Sequence, residues 1–290
     1  MHSEIARQGL KTLEPLHAMI YFAPETARRF GELGLEPGHM CYFAGRAAPM
    51  GAVGPGTVAA TFYNYNPDAV AAQIPRAWSL AAPEKVVAAR FSAADEALKR
   101  LLGEQALSSA EMIEVAQLAR EASEGCFPQG RPLYAAHADL EWPEEPHLVL
   151  WHAQSMLREF RGDGHIIALQ RAGLSGLQAL VLNTATGKGF VPSFAKQSRG
   201  WSDEQWATAE DELRERGLLD DSGTPTERSA TLLEEIETET DELAMAPWRH
   251  LGQDKFERLT QQGRVLSKQA VKAGAFPSEF FAAGSPRRAE

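Results

Sequence analysis

The chain has 290 residues, 44% of them hydrophobic and 23% charged, with a net charge of −10; that is enough for one large or two medium globular domains and too apolar for extended disorder. Two cysteines, Cys41 and Cys126, exclude a disulfide framework and a four-thiolate zinc site, and both read as buried small hydrophobes. No run of about 18 apolar residues occurs, and MHSEIARQGLKTLEPLH is charged where a signal peptide is apolar, so a cytoplasmic chain that does not enter membranes is expected.

Residues 3 to 33 read as helical, broken at Pro15 and Pro24, with Leu13, Leu16, His17, Ile20 and Tyr21 on one face. GLEPGH turns the chain into MCYFAGRAA, a short apolar helix or strand, and PMGAVGPG follows as a loop. Asn66 before Pro67 supplies an N-cap and a proline at the first helical position. PEKVVAARFSAADEALKRLL predicts an amphipathic helix, and Ser108, three residues before Glu111, opens another that ends at Gly125. The proline-marked stretch FPQGRPLYAAHADLEWPEEP is the expected boundary between a domain over 1–130 and one over 145–273.

Beyond it HLVLWHAQSMLREFRG is helical, and Asp163 between two glycines is expected to cap a separate helix, HIIALQRAG, that has His165 in its first turn. LSGLQALVLNTATG forms the next helix, KGFVPSFAKQSRG a loop, and Ser202 caps SDEQWATAEDELRERG. LLDDSGTPT suggests a tight hairpin or wing, Glu227 to Leu243 a long acidic helix, and 274–290 a loosely held tail. Helix, Gly-Leu, short helix, Gly-rich loop, aromatic residue and capped helix follow one another from Gly34-Leu35 and again from Gly173-Leu174. An offset near 139 residues relates the two runs; a divergent duplication and ordinary helix punctuation both account for it.

From Gly164 to Leu243 the order of elements, with Leu213, Gly217 and Leu218 ending the third helix before the hairpin, resembles the winged helix-turn-helix of MarR-type regulators. With YFAPE, YFAGRAAPMG, ATFYNYNP and EPHLVLWHA, the whole chain resembles an actinobacterial helix-turn-helix family of unassigned biochemical role. The resemblance implies a mainly α fold, with a degenerate winged helix in the C-terminal half and a helical N-terminal domain that is a candidate pseudo-duplicate of it. A secondary-metabolite ligand fits that setting.

A DNA-reading helix needs Arg and Lys to replace the counterions it releases. Between Gly200 and Met245 stand fifteen acids and three arginines, a net of −12, and Asp203 to Arg216 alone holds six acids and two arginines. The pairs Arg28-Arg29, Lys99-Arg100 and Arg287-Arg288 are isolated. DNA is therefore not an expected partner unless a homodimer presents a basic surface from elsewhere.

NTATGKGF fails the phosphate-loop spacing because Leu182 stands five before Gly187 and Gly189 follows Lys188; GxGxxG, GxSxG and HExxH are absent. His147 and His152 are five apart, about 140° around a helix, so they do not share one metal, and neither metal nor cofactor is expected. Arg46 lies among apolar neighbours and needs an acid partner or an anionic ligand. All five tyrosines fall in the first 134 residues, and Tyr63-Asn64-Tyr65-Asn66 alternates ring with amide. The favoured reading is a small-molecule binding protein whose cavity is lined by His17, Tyr21, Arg46, Tyr63, Asn64, Tyr65, His137, His147, Trp151 and His152. A ligand-responsive regulator is the first alternative. A cofactor-independent enzyme using His152 with Glu159 or Asp163 as acid and base is the second.

Overall fold

The computed structural model describes residues 2–282, and these are helical almost throughout. The first stretch holds α1 (Glu4–Ala18), a 3-10 turn at Met19–Tyr21, α2 (Pro24–Glu32), α3 (His39–Ala47), α4 (Pro55–Phe62), α5 (Pro67–Ala71), α6 (Arg76–Leu80), α7 (Pro83–Leu107) and α8 (Ala110–Glu124). After α9 (Pro132–Ala138) come α10 (Pro146–Arg171), α11 (Gly176–Ala185), α12 (Pro192–Arg199), α13 (Asp203–Glu215), α14 (Glu227–Leu243), α15 (Ala246–Leu251) and α16 (Gln253–Lys272). Proline opens α2, α4, α5, α7, α9, α10 and α12, where its missing N–H leaves nothing unpaired and its fixed φ suits the first turn. The described residues contain no strand; isolated antiparallel bridges join Leu219 to Pro225 and Phe190 to Phe281.

Local signals set several ends as the sequence predicts. The Asn66 side chain accepts from Asp68 N, and Ser202 and Gln205 form a reciprocal capping box at the start of α13. Other expectations need correction. The cap of α8 is Ser109, which accepts from Met112 N, while the Ser108 hydroxyl turns back to the Glu104 carbonyl. FVPSFAKQSRG is not a loop but carries α12. Gly162-Asp163-Gly164 does not break the chain, because α10 runs unbroken for 26 residues. Asp163 instead accepts from the backbone N–H groups of Leu133 and Tyr134, at 3.1 and 3.0 Å, and so caps α9 from thirty residues away. His165 consequently lies in mid-helix, bonded to Thr240. The stretch after Gly274 is held as far as it is described: Phe276 and Phe281 are buried, and Val191 N donates to the Phe280 carbonyl. Arg287-Arg288 and the rest of 283–290 lie outside the described residues.

Three main cores follow. The largest takes apolar faces from α1, α7, α8, α10, α15 and α16, so the first and last helices pack on each other and on the helices between. The second joins Phe30, Leu35, Met40 and Phe43 to Val58, Val70, Ile74, Val86 and Leu133. The third joins the end of α10 to α11, α12, α13 and α14 through Leu169, Leu174, Leu182, Ala195, Trp206, Leu213 and Ile236. Among the described residues no helix is long and apolar enough to cross a membrane.

Candidate functional site

Where the largest core meets α3 and α12, a cavity of about 580 Å³ opens, in the size range of small-molecule sites. Tyr21, Phe22, Tyr42, Tyr65, Phe190, Phe194 and Phe280 supply its rings, and Arg158, Arg199 and Glu14 its charges. A second chamber of about 240 Å³ lies against it, sharing Tyr21, Phe22, Gly38 and Tyr42 and bounded further in by Ile20, Phe30, Arg46 and Arg90. The rings interlock: Tyr42 lies 5.3 Å from Tyr21 and 5.1 Å from Tyr65, and Phe194 stacks on Phe280 at 4.2 Å. Arg199 covers the Tyr65 ring at 4.8 Å.

A charged ladder supports this wall. Arg46 clamps Glu159 through two bonds, 2.7 and 3.2 Å, and Arg158 donates to Glu159 at 2.7 Å and to Glu14 at 3.3 Å. Burial alone would raise the Glu159 carboxyl, but Arg46 and Arg158 outweigh it and hold the group well below its ordinary value. Burial likewise opposes ionisation of Tyr42, yet Arg46, Arg199 and Arg158 bring its phenol below the usual tyrosine value. Arg46, Arg90, Arg158 and Arg199 thus outnumber Glu14 and Glu159 at and behind these walls. Behind them Arg90 donates to His137 Nε2 at 3.1 Å and to His17 Nε2 at 3.5 Å, and lies over the Trp151 ring at 4.8 Å. His17 also stacks on Trp151, 5.5 Å between ring centres. Burial first, and Arg90 second, push His137 down to about 3. Burial and the Arg158 charge keep His17 well below 6.5, so both rings are neutral.

Of the residues read from the sequence as a ligand site, the structure brings Tyr21, Arg46 and Tyr65 to the chamber walls, with His17, His137 and Trp151 just behind. Others lie apart. The Tyr63 hydroxyl donates to the Leu174 carbonyl and the Asn64 carbonyl accepts from Trp201 Nε1, so both join the two halves of the chain. His147 bonds Asp95 at 2.7 Å. His152 packs edge-on against Trp142 at 4.7 Å, neither of its ring nitrogens has a partner among the described residues, and burial lowers it to about 4. His152, Glu159 and Asp163 share no hydrogen bond: Glu159 is held by arginines, and Asp163, raised to about 6 mainly by burial, by two backbone N–H groups. Among the described residues no three His, Cys, Asp or Glu groups gather where a metal ion could be held.

Sequence reasoning passed over Arg90, Tyr42, Arg158 and Arg199 as site residues. Arg90 carried a readable signal, since Val86, Arg90, Ala93, Ala94 and Ala97 follow one another on a single buried face of α7. An arginine on an apolar stripe asks the same question as Arg46.

The third core places α11, α12 and α13 in succession, with a Leu219–Pro225 bridge closing a tight turn before α14. Trp206, Ala209 and Leu213 anchor α13, leaving Asp203, Glu204, Asp211, Glu212 and Glu215 exposed on its outer face. This order of helices places the molecule among the all-α helix-turn-helix proteins. A model described as a helix-turn-helix family matches residues 6–277, and the chain belongs to that family. No curated protein and no solved structure matches it.

Proposed function

We propose that this protein binds a small aromatic molecule in the chamber between α1, α3 and α12, on a MarR-like winged-helix scaffold that no longer reads DNA through α13. The carrying observation is the convergence of seven aromatic side chains with Arg158 and Arg199 on one cavity of about 580 Å³. The outward acids of α13 support the loss of DNA reading, since each one near a phosphate opposes the counterion release that drives binding. A secondary-metabolite-type ligand accords with the family resemblance. A neutral fluorophore, N-phenyl-1-naphthylamine, tests the site. Saturable one-to-one binding is expected, and it is lost in Ser198→Trp, which fills the cavity wall; no saturable binding, or binding unchanged by Ser198→Trp, refutes the reading.

One observation favours a DNA-binding regulator instead. Lys11 on α1, Lys188 before α12, and Arg264, Lys268 and Lys272 on α16 are exposed and have no carboxylate partner among the described residues. They line adjoining grooves in a chain whose other exposed cations are mostly paired, as Arg28, Arg76, Arg100 and Lys255 are. A mobility-shift assay at low salt decides: retention of DNA that falls in Lys268→Glu/Lys272→Glu establishes the regulator, and absence of retention removes it.

A further inference from the structure

We propose that the inner chamber is an anion subsite, which receives the carboxylate of an aromatic acid whose ring occupies the outer chamber. It rests on the ligand-binding reading above and adds the charge and orientation of the ligand.

Arg46, Arg90, Arg158 and Arg199 face the two chambers, whereas the carboxylates among or directly behind these walls are Glu14 and Glu159. Arg46 and Arg158 are engaged with those two acids. Arg90 is buried, 4% exposed, and makes no ion pair among the described residues. Its two hydrogen-bond acceptors are imidazole nitrogens. His137 Nδ1 lies 2.9 Å from the Leu133 carbonyl and donates to it, which fixes Nε2 as the acceptor toward Arg90. A buried guanidinium held only by neutral rings is far from its best partner, a carboxylate.

A second observation lies in the same wall. The Tyr21 hydroxyl is buried and has no hydrogen-bond partner among the described residues, and Tyr21 borders both chambers. A carboxylate beside Arg90 and Tyr21 accepts from both and balances the Arg90 charge that no carboxylate among the described residues meets. Apart from Arg46, Thr26, Cys41 and the phenol of Tyr42 the remaining wall is apolar, with Ile20, Phe22 and Phe30, and the chamber is only about 240 Å³, which suits a planar carboxylate better than a hydrated phosphate. The seven rings of the outer chamber then cover the aromatic body.

Displacement of the bound neutral fluorophore by 1-naphthoate and by 1-naphthamide, which share a ring and differ in charge, tests the subsite. At pH 7 naphthoate is expected to compete at least about tenfold better. That ratio falls to near one in Arg90→Gln, and several-fold in Tyr21→Phe, with naphthamide little changed in either. Equal competition by the pair in the wild-type protein, or a ratio that neither variant moves, overturns the proposal. Tyr21→Phe removes a single hydroxyl and carries the test where Arg90→Gln does not fold. Absence of fluorophore binding defeats the ligand reading and the subsite together, whereas binding without charge preference defeats the subsite alone.

Discussion

Residues 30–86 and 169–225 run in step at an offset of 139. Gly34 and Gly173 both take positive φ, 81° and 66°, and the pairs Leu35 and Leu174, Phe43 and Leu182, Val70 and Ala209, Ile74 and Leu213 are all buried. Helices α3 and α11, α4 and α12, and α7 and α14 overlap at the same shift. The two regions touch through matching positions, Asn66 Nδ2 donating to Gln205 Oε1 at 3.2 Å across those 139 residues. What differs is what each buries. At the places of Val181 and Ala185 in the second region, the first has Tyr42 and Arg46, two walls of the chambers. The second region keeps an apolar interior and an acidic exterior; the first has taken charge inside. Chemistry therefore stands out as departure from a shared packing pattern.

Breaking the internal charge is expected to have the largest effect. Glu159→Ala leaves Arg46 and Arg158 in the interior without their shared acid and should cost about 3–5 kcal/mol in urea unfolding. Arg46→Met combined with Glu159→Met should recover much of that loss, since Arg158 retains Glu14. A loss below about 1 kcal/mol in Glu159→Ala would mean that the first region is no more charge-dependent than the second.

Truncations at equivalent core positions test the likeness itself. Ile74→Ala and Leu213→Ala remove buried side chains from the second and third cores, and each should cost about 2–5 kcal/mol. Costs that agree to within about 1 kcal/mol support a common packing role. A cost near zero at one site breaks the equivalence there.

Acid separates the two regions by another route. Residues 176–226 contain no histidine, whereas His17, His137 and His152 are buried around the first region's chambers and the helices behind them. An unfolded imidazole takes up its proton near pH 6.5, while folded His152 resists to about 4 and His137 to about 3. Stability present above pH 6.5 is therefore lost as pH falls below it, by about 3 kcal/mol from His152 alone between pH 7 and pH 4. Asp163 works in the opposite direction: its raised value, about 6, means that its burial penalty is relieved as pH falls through 6. His152→Phe should flatten the acid limb of the stability curve. Hydrogen exchange at pH 5 should show α10 and α7 opening before α11 and α13, and the reverse order would contradict this account.

How much of this the sequence displayed depended on how far each partner lay along the chain. Asn66 and Ser202 are caps whose acceptor or donor sits two or three residues away, and both are legible. Asp163 has the same local signature, glycine on each side, but its partners are Leu133 and Tyr134, so a local reading assigns it to the wrong helix. The mainly α class followed from helical spacing and from the scarcity of alternating runs. Arg46 announced a partner without identifying it; Glu159, 113 residues on, supplies it. The rings of Phe190, Phe194 and Phe280 gave no sign of facing Tyr21, because the cavity gathers them from two distant stretches, α12 with the residues before it and the C-terminal segment that pairs with them through Val191 N and the Phe280 carbonyl.

The smallest expected effect distinguishes a cap from a seam. Ser202→Ala removes one side of an exposed capping box and should cost about 1 kcal/mol. Asn66 caps α5 with Oδ1 and, through Nδ2, also donates to the Gly200 carbonyl at 2.9 Å and to Gln205. Asn66→Ala therefore loses a cap and leaves the Gly200 carbonyl without that donor, for about 2 kcal/mol. Asn66→Asp keeps the acceptor for Asp68 N but replaces the donor with a carboxylate beside that carbonyl. If the contact between the two regions contributes to stability, Asn66→Asp should cost more than Ser202→Ala by thermal unfolding, although the α5 cap survives. If Asn66→Asp costs nothing, the Asn66 side chain acts only as a cap, and the bond from its backbone N–H to the Arg199 carbonyl, 2.9 Å, is what joins the two regions at that point.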